Sequence, residues 1–144
     1  MKTIETRIEI NAARERVWQI LIDFASYPTW NPFVKSISGT PQVGETLKIF
    51  IQPEGASGMK FSPQVLTIEP NRELRWLGKL LWGGLFDGEH YFRIEPIGND
   101  KVRFTQGERF SGILISLFWR WFGDNTEKGF AAMNQALKER AEKE

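Results

Sequence analysis

Apolar and polar residues alternate at the start of the chain. From Thr3 to Ile10, isoleucines fall on one side of an extended segment and charged residues on the other, which predicts a half-buried β-strand. Residues 17–24 then follow a helical spacing, with Asn11 as the predicted N-terminal cap. Tyr27-Pro28 is expected to end this helix, because proline disfavours helical geometry in the residue before it.

Further extended segments and a C-terminal helix follow. Alternation and the turn residues between segments predict strands near 33–38, 44–52, 60–69, 72–79, 85–96 and 100–109. From about Gly112 the apolar residues recur at helical spacing, which predicts a long helix. The order indicates an α+β fold in one domain over residues 1–144. We expect a curved antiparallel sheet of about seven strands wrapped on the C-terminal helix, with one or two short helices after the first strand.

Charge and composition exclude several classes of function. Nineteen Lys and Arg against eighteen Asp and Glu leave a net charge of +1 without a basic stripe, so we expect no nucleic-acid partner. The chain has no cysteine and one histidine, so we predict no disulfide, no metal site and no cofactor. Eleven Phe and six Trp are many for this length, and such residues fill cores or line sites for apolar ligands.

The sequence gives no indication of a membrane-spanning or secretory segment. The N-terminus alternates instead of forming the apolar run of a signal peptide. The longest apolar stretch, residues 112–123, is interrupted by Ser116 and Arg120 and is too short to cross a bilayer. We therefore expect a cytoplasmic protein without stable membrane insertion, for which transient membrane contact stays open.

Four segments carry a resemblance to a known family: “VWQILIDFASYPTWNPFV” (17–34), “VLTIEPNRELRW” (65–76), “FDGEHYFRIEP” (86–96) and “NQALKERAE” (134–142). Together they resemble the SRPBCC superfamily, the START/Bet v 1-like group, and within it the polyketide cyclase/dehydrase-like branch. The resemblance implies a helix-grip fold with a hydrophobic cavity between the sheet and the last helix. Members bind lipids, sterols, hormones or polyketides, and some are cyclases or aromatases. The matching positions nearest the family's cavity are Trp30, Phe33, Trp76, His90 and Phe92.

The only histidine, His90, falls on the apolar face of its predicted strand. If the apolar faces of strands 85–96 and 100–109 coincide, His90 lies opposite Gln106 in one register and opposite Glu108 in another. Burying these polar groups without partners would cost about 1–3 kcal/mol each. The pattern favours a pocket with apolar walls and a polar end at these residues. A purely structural histidine, a ligand anchor and a proton-transfer group all remain open for His90.

Two apolar segments, 80–86 and 113–122, are predicted to form a lip beside the pocket. Satellite packing, a dimer interface and transient membrane docking are the alternatives for this lip. The candidate ligand-binding residues are Trp30, Phe33, Leu74, Trp76, Trp82, Phe86, His90, Phe92, Phe104, Gln106, Glu108, Phe118, Phe122, Phe130 and Met133.

The sequence favours binding of a small hydrophobic molecule in an internal cavity, as a carrier or a sensor. One alternative is a polyketide cyclase- or aromatase-like enzyme in which His90 transfers a proton and Glu108 orients it. A second alternative is a protein-interaction module that uses the apolar lip. The expected partner is a small hydrophobic molecule, and the chain is expected to be a monomer or a homodimer.

Overall fold

The structure is a computed structural model that describes residues 1–80, 84 and 86–143, with backbone alone at residues 80, 118 and 120–122. Three helices and eight strands make up the described elements. The helices are α1 (Arg14–Ile22), α2 (Tyr27–Trp30) and α3 (Ile115–Glu142), with a 3₁₀ turn at Phe24–Ser26. The strands are β1 (Lys2–Ile10), β2 (Val34–Ser38), β3 (Lys48–Ile51), β4 (Met59–Phe61), β5 (Gln64–Glu69), β6 (Glu73–Leu80), β7 (Phe86–Gly98) and β8 (Lys101–Ser111).

The strands form two antiparallel sheets, one of five strands in the order β1-β8-β7-β6-β5 and one of three in the order β2-β3-β4. An isolated bridge between Thr46 and Gln64 connects them. The segment expected as one strand over 60–69 is divided into β4 and β5, with Pro63 between them. Proline has no backbone N–H to donate to a ladder, so an unbroken strand would lose a hydrogen bond there.

The long C-terminal helix and the antiparallel sheet confirm the predicted α+β helix-grip architecture. On α3, Phe130, Met133, Leu137 and Ala141 are all buried, as their helical spacing predicts. They belong to one hydrophobic cluster with the inward residues of the five-stranded sheet. Burial of this stripe holds the helix against the sheet.

Two sequence expectations about the first helix are wrong. Asn11 does not cap α1: the N-cap position is Ala13, in an extended conformation, and the Asn11 N–H donates to Glu142 Oε2 at 2.8 Å. Pro28 does not end α1, which stops at Ile22. Pro28 lies in the first turn of α2, where its missing N–H leaves no hydrogen bond unmade.

The outer face of the five-stranded sheet carries a buried tyrosine. Tyr91 points away from α3 yet is 2% exposed, because its ring covers Gly107 on the neighbouring strand. The guanidinium groups of Arg75 and Arg93 lie 5.1 and 4.5 Å from the ring centre. The hydroxyl donates to Glu5 Oε1 at 2.7 Å, which ties β7 to β1 across β8.

Candidate functional site

An apolar pocket opens between the two sheets and helix α3. Its cavity volume is about 70 Å³, and the pocket is open to solvent at its mouth. The three-stranded sheet supplies apolar wall residues, the five-stranded sheet supplies the floor, and α3 supplies a hydroxyl. The lining residues are Phe33, Val34, Ile51, Met59, Phe61, Trp76, Gly78, Lys79, Phe86, Gly88, His90, Glu108 and Thr126.

Two glycines that face each other across β6 and β7 open the floor of the pocket. Gly78 and Gly88 are paired in the ladder, and both lie on the inward face. A Cβ on Gly78 would make an ordinary contact with Phe61 at 3.5 Å. A Cβ on Gly88 would overlap the carboxylate of Glu108. Gly88 therefore gives the Glu108 side chain the room to lie over the sheet.

His90 forms the polar end of the pocket together with Glu108. The two residues are directly opposite in the β7–β8 ladder, which is the second of the two registers expected from the sequence. The imidazole Nδ1 lies 2.9 Å from Glu108 Oε1, and because a carboxylate only accepts, Nδ1 donates. Trp76 stacks on the ring at 5.2 Å between centroids, and Phe130 packs edge-on at 4.9 Å. The imidazole is 4% exposed, so its orientation is fixed by packing as well as by hydrogen bonds.

A buried hydrogen-bond chain continues from His90 to helix α3. His90 Nε2 lies 3.0 Å from Gln106 Oε1, and Gln106 Nε2 donates to Asn134 Oδ1 at 2.7 Å. Gln106 Nε2 also faces the backbone carbonyl of Phe130 at 3.5 Å, which can only accept. This places the amide nitrogen toward the helix and the amide oxygen toward the imidazole ring. Asn134 Nδ2 completes the chain by donating to Thr6 Oγ1 at 2.8 Å.

Glu108 differs from His90 in having an atom left for a ligand. Its Oε1 is occupied by His90, whereas Oε2 lies over Gly88 at the pocket floor. Within the described part of the chain, no hydrogen-bond donor contacts Oε2. The side chain is 20% exposed, so the pocket reaches it. Among the described residues, Glu108 Oε2 is therefore an acceptor without a protein donor at the end of the cleft.

The predicted ligand-binding residues divide between the pocket and the core. Phe33, Trp76, Phe86, His90 and Glu108 line the pocket. A second group is buried and packs around it without lining it: Leu74, Phe92, Phe104, Gln106, Phe130 and Met133. Trp30 is half-buried and lines a separate surface groove beside α1 and the end of α3. Trp82 lies outside the described residues, as do the side chains of Phe118 and Phe122.

Sequence reasoning missed most of the wall and the two floor glycines. Phe61 belongs to a predicted strand, but its contact with the pocket depends on how the second sheet folds over the first. Gly88 lies two residues before His90, so strand alternation places it on the same inward face, and a glycine there is the signal in the sequence for an opening. The other lining residues that were missed are Val34, Ile51, Met59, Gly78, Lys79 and Thr126.

The predicted apolar lip is described only in part. Ile113 and Leu117 are 78% and 72% exposed. Residues 81–83 and 85 lie outside the described residues. Across the described ranges, no helix has a stretch long and apolar enough to span a membrane. The same residues contain no group of three or more side chains placed to hold a metal ion.

The sequence matches a family model over nearly its full length. The match covers residues 1–142, and the model is described as polyketide cyclase / dehydrase and lipid transport. The chain belongs to this family. No curated protein matches the sequence.

Solved structures confirm the fold of this family member. A START superfamily protein from Mycobacterium smegmatis is 24% identical with a TM-score of 0.70, covering 97% of each chain. The Zhui aromatase/cyclase from Streptomyces sp. R1128 is 13% identical with a TM-score of 0.79, covering 98% of this chain and 93% of its own. The Aha1 dimer from Colwellia psychrerythraea is 22% identical with a TM-score of 0.72, covering 99% and 97%. At sequence identities below 25%, the similarity to these structures concerns the fold alone.

Proposed function

We propose that this protein binds a small hydrophobic molecule between the two sheets, as a carrier or a sensor, with the polar end of the ligand at His90 and Glu108. The observation that carries the proposal is the pocket itself: mostly apolar walls converge on the His90–Glu108 pair, which is held in fixed geometry. Apolar area supplies affinity in such sites, and a few placed polar groups supply orientation. The family description and the fold of the relatives support the same class of ligand.

The cavity volume limits what part of the ligand enters. About 70 Å³ is smaller than an engineered cavity of about 150 Å³ that binds benzene. A ligand that inserts a ring must therefore extend into the open cleft or displace the walls. We infer that the ligand places one narrow end at the floor and keeps its bulk between Met59, Phe61 and the mouth.

Filling the floor should block binding. We expect Gly78→Val to weaken the affinity for 1,4-dimethylbenzene at least about tenfold, because the added methyls occupy space that an apolar ligand would fill. The measurement is an NMR titration that follows the amide signal of Gly88. Gly98→Val is the matched control, since Gly98 lies at the far end of β7 and a Cβ there meets only Lys101 at 3.8 Å.

The proposal fails if the wild-type protein shows no saturable shift of pocket amides with this probe. It also fails if Gly78→Val, folded by its amide spectrum, binds the probe as tightly as the wild-type chain does.

A second candidate is an enzyme of the cyclase type, favoured by the 2.9 Å imidazole–carboxylate pair at the pocket floor. Such a pair can move a proton while the cleft holds a reactive conformation of the substrate. A carrier releases its ligand unchanged, whereas an enzyme converts it. Native mass spectrometry of the molecule retained by the purified protein, before and after prolonged incubation, separates the two roles.

A further inference from the structure

We propose that Glu108 is the specificity-determining residue of the pocket and that it selects ligands whose inserted end carries a neutral hydroxyl group, an alcohol or a phenol. This inference rests on the proposed ligand-binding function and names the class of ligand. It also assigns His90 to positioning rather than to direct contact with the ligand's polar group.

The hydrogen bonds of His90 are already committed within the protein. Nδ1 faces Glu108 at 2.9 Å and Nε2 faces Gln106 at 3.0 Å, so neither ring nitrogen is left for a ligand. Turning the imidazole toward a ligand would break one of these bonds in a site with 4% exposure. What the ligand meets is the ring itself, beside Trp76.

Glu108 Oε2, in contrast to the ring nitrogens of His90, has no hydrogen-bond donor among the described residues. The oxygen lies over Gly88, where the absence of a side chain exposes it to the floor of the pocket. Because the side chain is 20% exposed, solvent is the partner that an entering ligand displaces. An apolar ligand end would leave the oxygen without a donor, which is unfavourable, whereas a ligand that brings an O–H to this position replaces the lost hydrogen bond with one to a charged acceptor.

The hydrogen-bond chain from His90 to α3 keeps the Glu108 carboxylate in place. Glu108 Oε1 is hydrogen-bonded to His90, His90 to Gln106, and Gln106 to Asn134 on α3. Each member is buried apart from the half-buried Glu108. A fixed acceptor discriminates between ligands better than a mobile one, because little ordering has to accompany binding.

The surroundings favour a neutral donor over a charged one. The walls are apolar, so an ammonium group would lose its hydration with only one carboxylate oxygen in return. Lys79 is a cation on the same pocket lining and repels a second one. A ligand carboxylate would face Glu108 itself. A neutral hydroxyl group avoids both the loss of ionic hydration and the repulsion by Lys79 or Glu108.

The test compares two probes of the same shape on the intact chain. 4-Methylphenol and 1,4-dimethylbenzene differ only in a hydroxyl against a methyl, and each is titrated by NMR against the wild-type protein. We expect 4-methylphenol to bind at least as tightly, although an apolar site without an acceptor prefers the methyl. In Glu108→Gln, whose amide oxygen accepts from His90 and turns its NH₂ to the floor, we expect the phenol to lose about tenfold relative to the hydrocarbon.

The matched control is Glu95→Gln, which removes an exposed carboxylate on the same strand as His90, away from the pocket. It should leave the ratio of the two affinities unchanged. The inference is overturned if the wild-type protein binds the hydrocarbon about tenfold tighter than the phenol, a comparison that needs no variant. It is also overturned if folded Glu108→Gln keeps the wild-type ratio. In both cases the hydrocarbon still binds, whereas failure of the proposed function abolishes binding of both probes.

Discussion

Gly88 is the residue on which the position of the Glu108 carboxylate depends. Its inward face has no side chain, and Glu108 Oε2 occupies the space that a Cβ would take. Because Glu108 in turn binds His90, one missing methyl group determines the geometry of the whole polar end of the pocket. Its ladder partner Gly78 lies in the same floor, but a Cβ there would make only ordinary contacts, with the Phe61 ring at 3.5 Å and the Gly88 carbonyl at 3.9 Å.

We therefore expect Gly88→Ala and Gly78→Ala to differ sharply. Gly88→Ala should displace the carboxylate, change the ¹⁵N shifts of the His90 ring and lower the free energy of unfolding by about 1–3 kcal/mol, since a buried polar pair is broken. Gly78→Ala should leave the ring shifts unchanged and cost less. Urea unfolding and ¹⁵N NMR measure both effects, and the single histidine makes its ring signals unambiguous. Equal responses of the two variants would contradict this role of Gly88.

At this scale the sequence predicted positions better than contacts. Period-two alternation placed His90, Gln106 and Glu108 on one face, and the ladder puts His90 opposite Glu108. Alternation does not reveal that the amide of Gln106 reaches Asn134, because that contact depends on the rotation and register of a helix distant in the chain. Alternation also does not distinguish the inward aromatic residues that are buried in the core from those that line the pocket.

At the scale of elements, the buried hydrogen-bond chain joins α3 to β8 and β1. Gln106 is on β8, Asn134 is on α3 and Thr6 is on β1. Hydrophobic burial alone would permit small shifts of the helix along the sheet. Directional hydrogen bonds that join the buried Gln106 and Asn134 to the half-buried Thr6 specify one register, because any shift leaves these groups unpaired.

Replacing Asn134 tests this connection. We expect Asn134→Leu, which keeps the size of the side chain, to lower the free energy of unfolding by about 1–3 kcal/mol, since Gln106 and Thr6 lose a buried partner. Gln135→Leu is the control on the same helix, because its amide bonds only to the exposed Glu139, at 3.1 Å. Urea denaturation compares the two. A loss no greater in Asn134→Leu than in Gln135→Leu would mean that the chain does not hold the helix in place.

The order and type of the elements could be predicted, whereas several boundaries could not. The strand expected over 60–69 is interrupted at Pro63, and the cap expected at Asn11 lies at Ala13. At both positions a backbone group forms a hydrogen bond with a residue distant in the sequence. The carbonyl of Pro63 accepts from Leu47, and the N–H of Asn11 donates to Glu142 on the far side of the chain. Local propensity cannot anticipate partners of this kind.

At the scale of the whole molecule, the charged outer face of the sheet links stability to pH. A hydrogen bond from Tyr91 is the main reason that the pKa of Glu5 lies below its usual value. Such a group stabilises the folded state above its unfolded pKa, and the contribution disappears as pH falls through the lower folded pKa. Burial, with a smaller effect of Glu5, raises the pKa of Tyr91 to about 12. That contribution is complete below the unfolded pKa near 10 and is lost as pH rises toward 12.

Tyr91→Phe should change this profile at both ends. Near pH 7 we expect a loss of about 0.5–1 kcal/mol in the free energy of unfolding, a modest value because Glu5 is largely exposed and water screens its charge. The difference from wild type should shrink below pH 4.5, as Glu5 becomes protonated in both proteins, and above pH 10 as wild-type Tyr91 ionises. Thermal unfolding across pH measures the profile. A difference that stays constant from acid to alkaline pH would contradict the coupling.

The division into two sheets has a consequence for how this binding site can diversify. The wall residues Met59 and Phe61 belong to β4, whereas His90 and Glu108 belong to the five-stranded sheet. The residues that would contact the bulk of a ligand and those that would contact its polar group therefore lie on two different sheets. Substitutions on the short strand can enlarge or reshape the chamber without altering the cross-strand pairing at its base. The shape of the pocket and the recognition of the ligand's polar group can thereby change separately. A library of substitutions in β4 could alter which ligand shapes fit while the His90–Glu108 pair is kept.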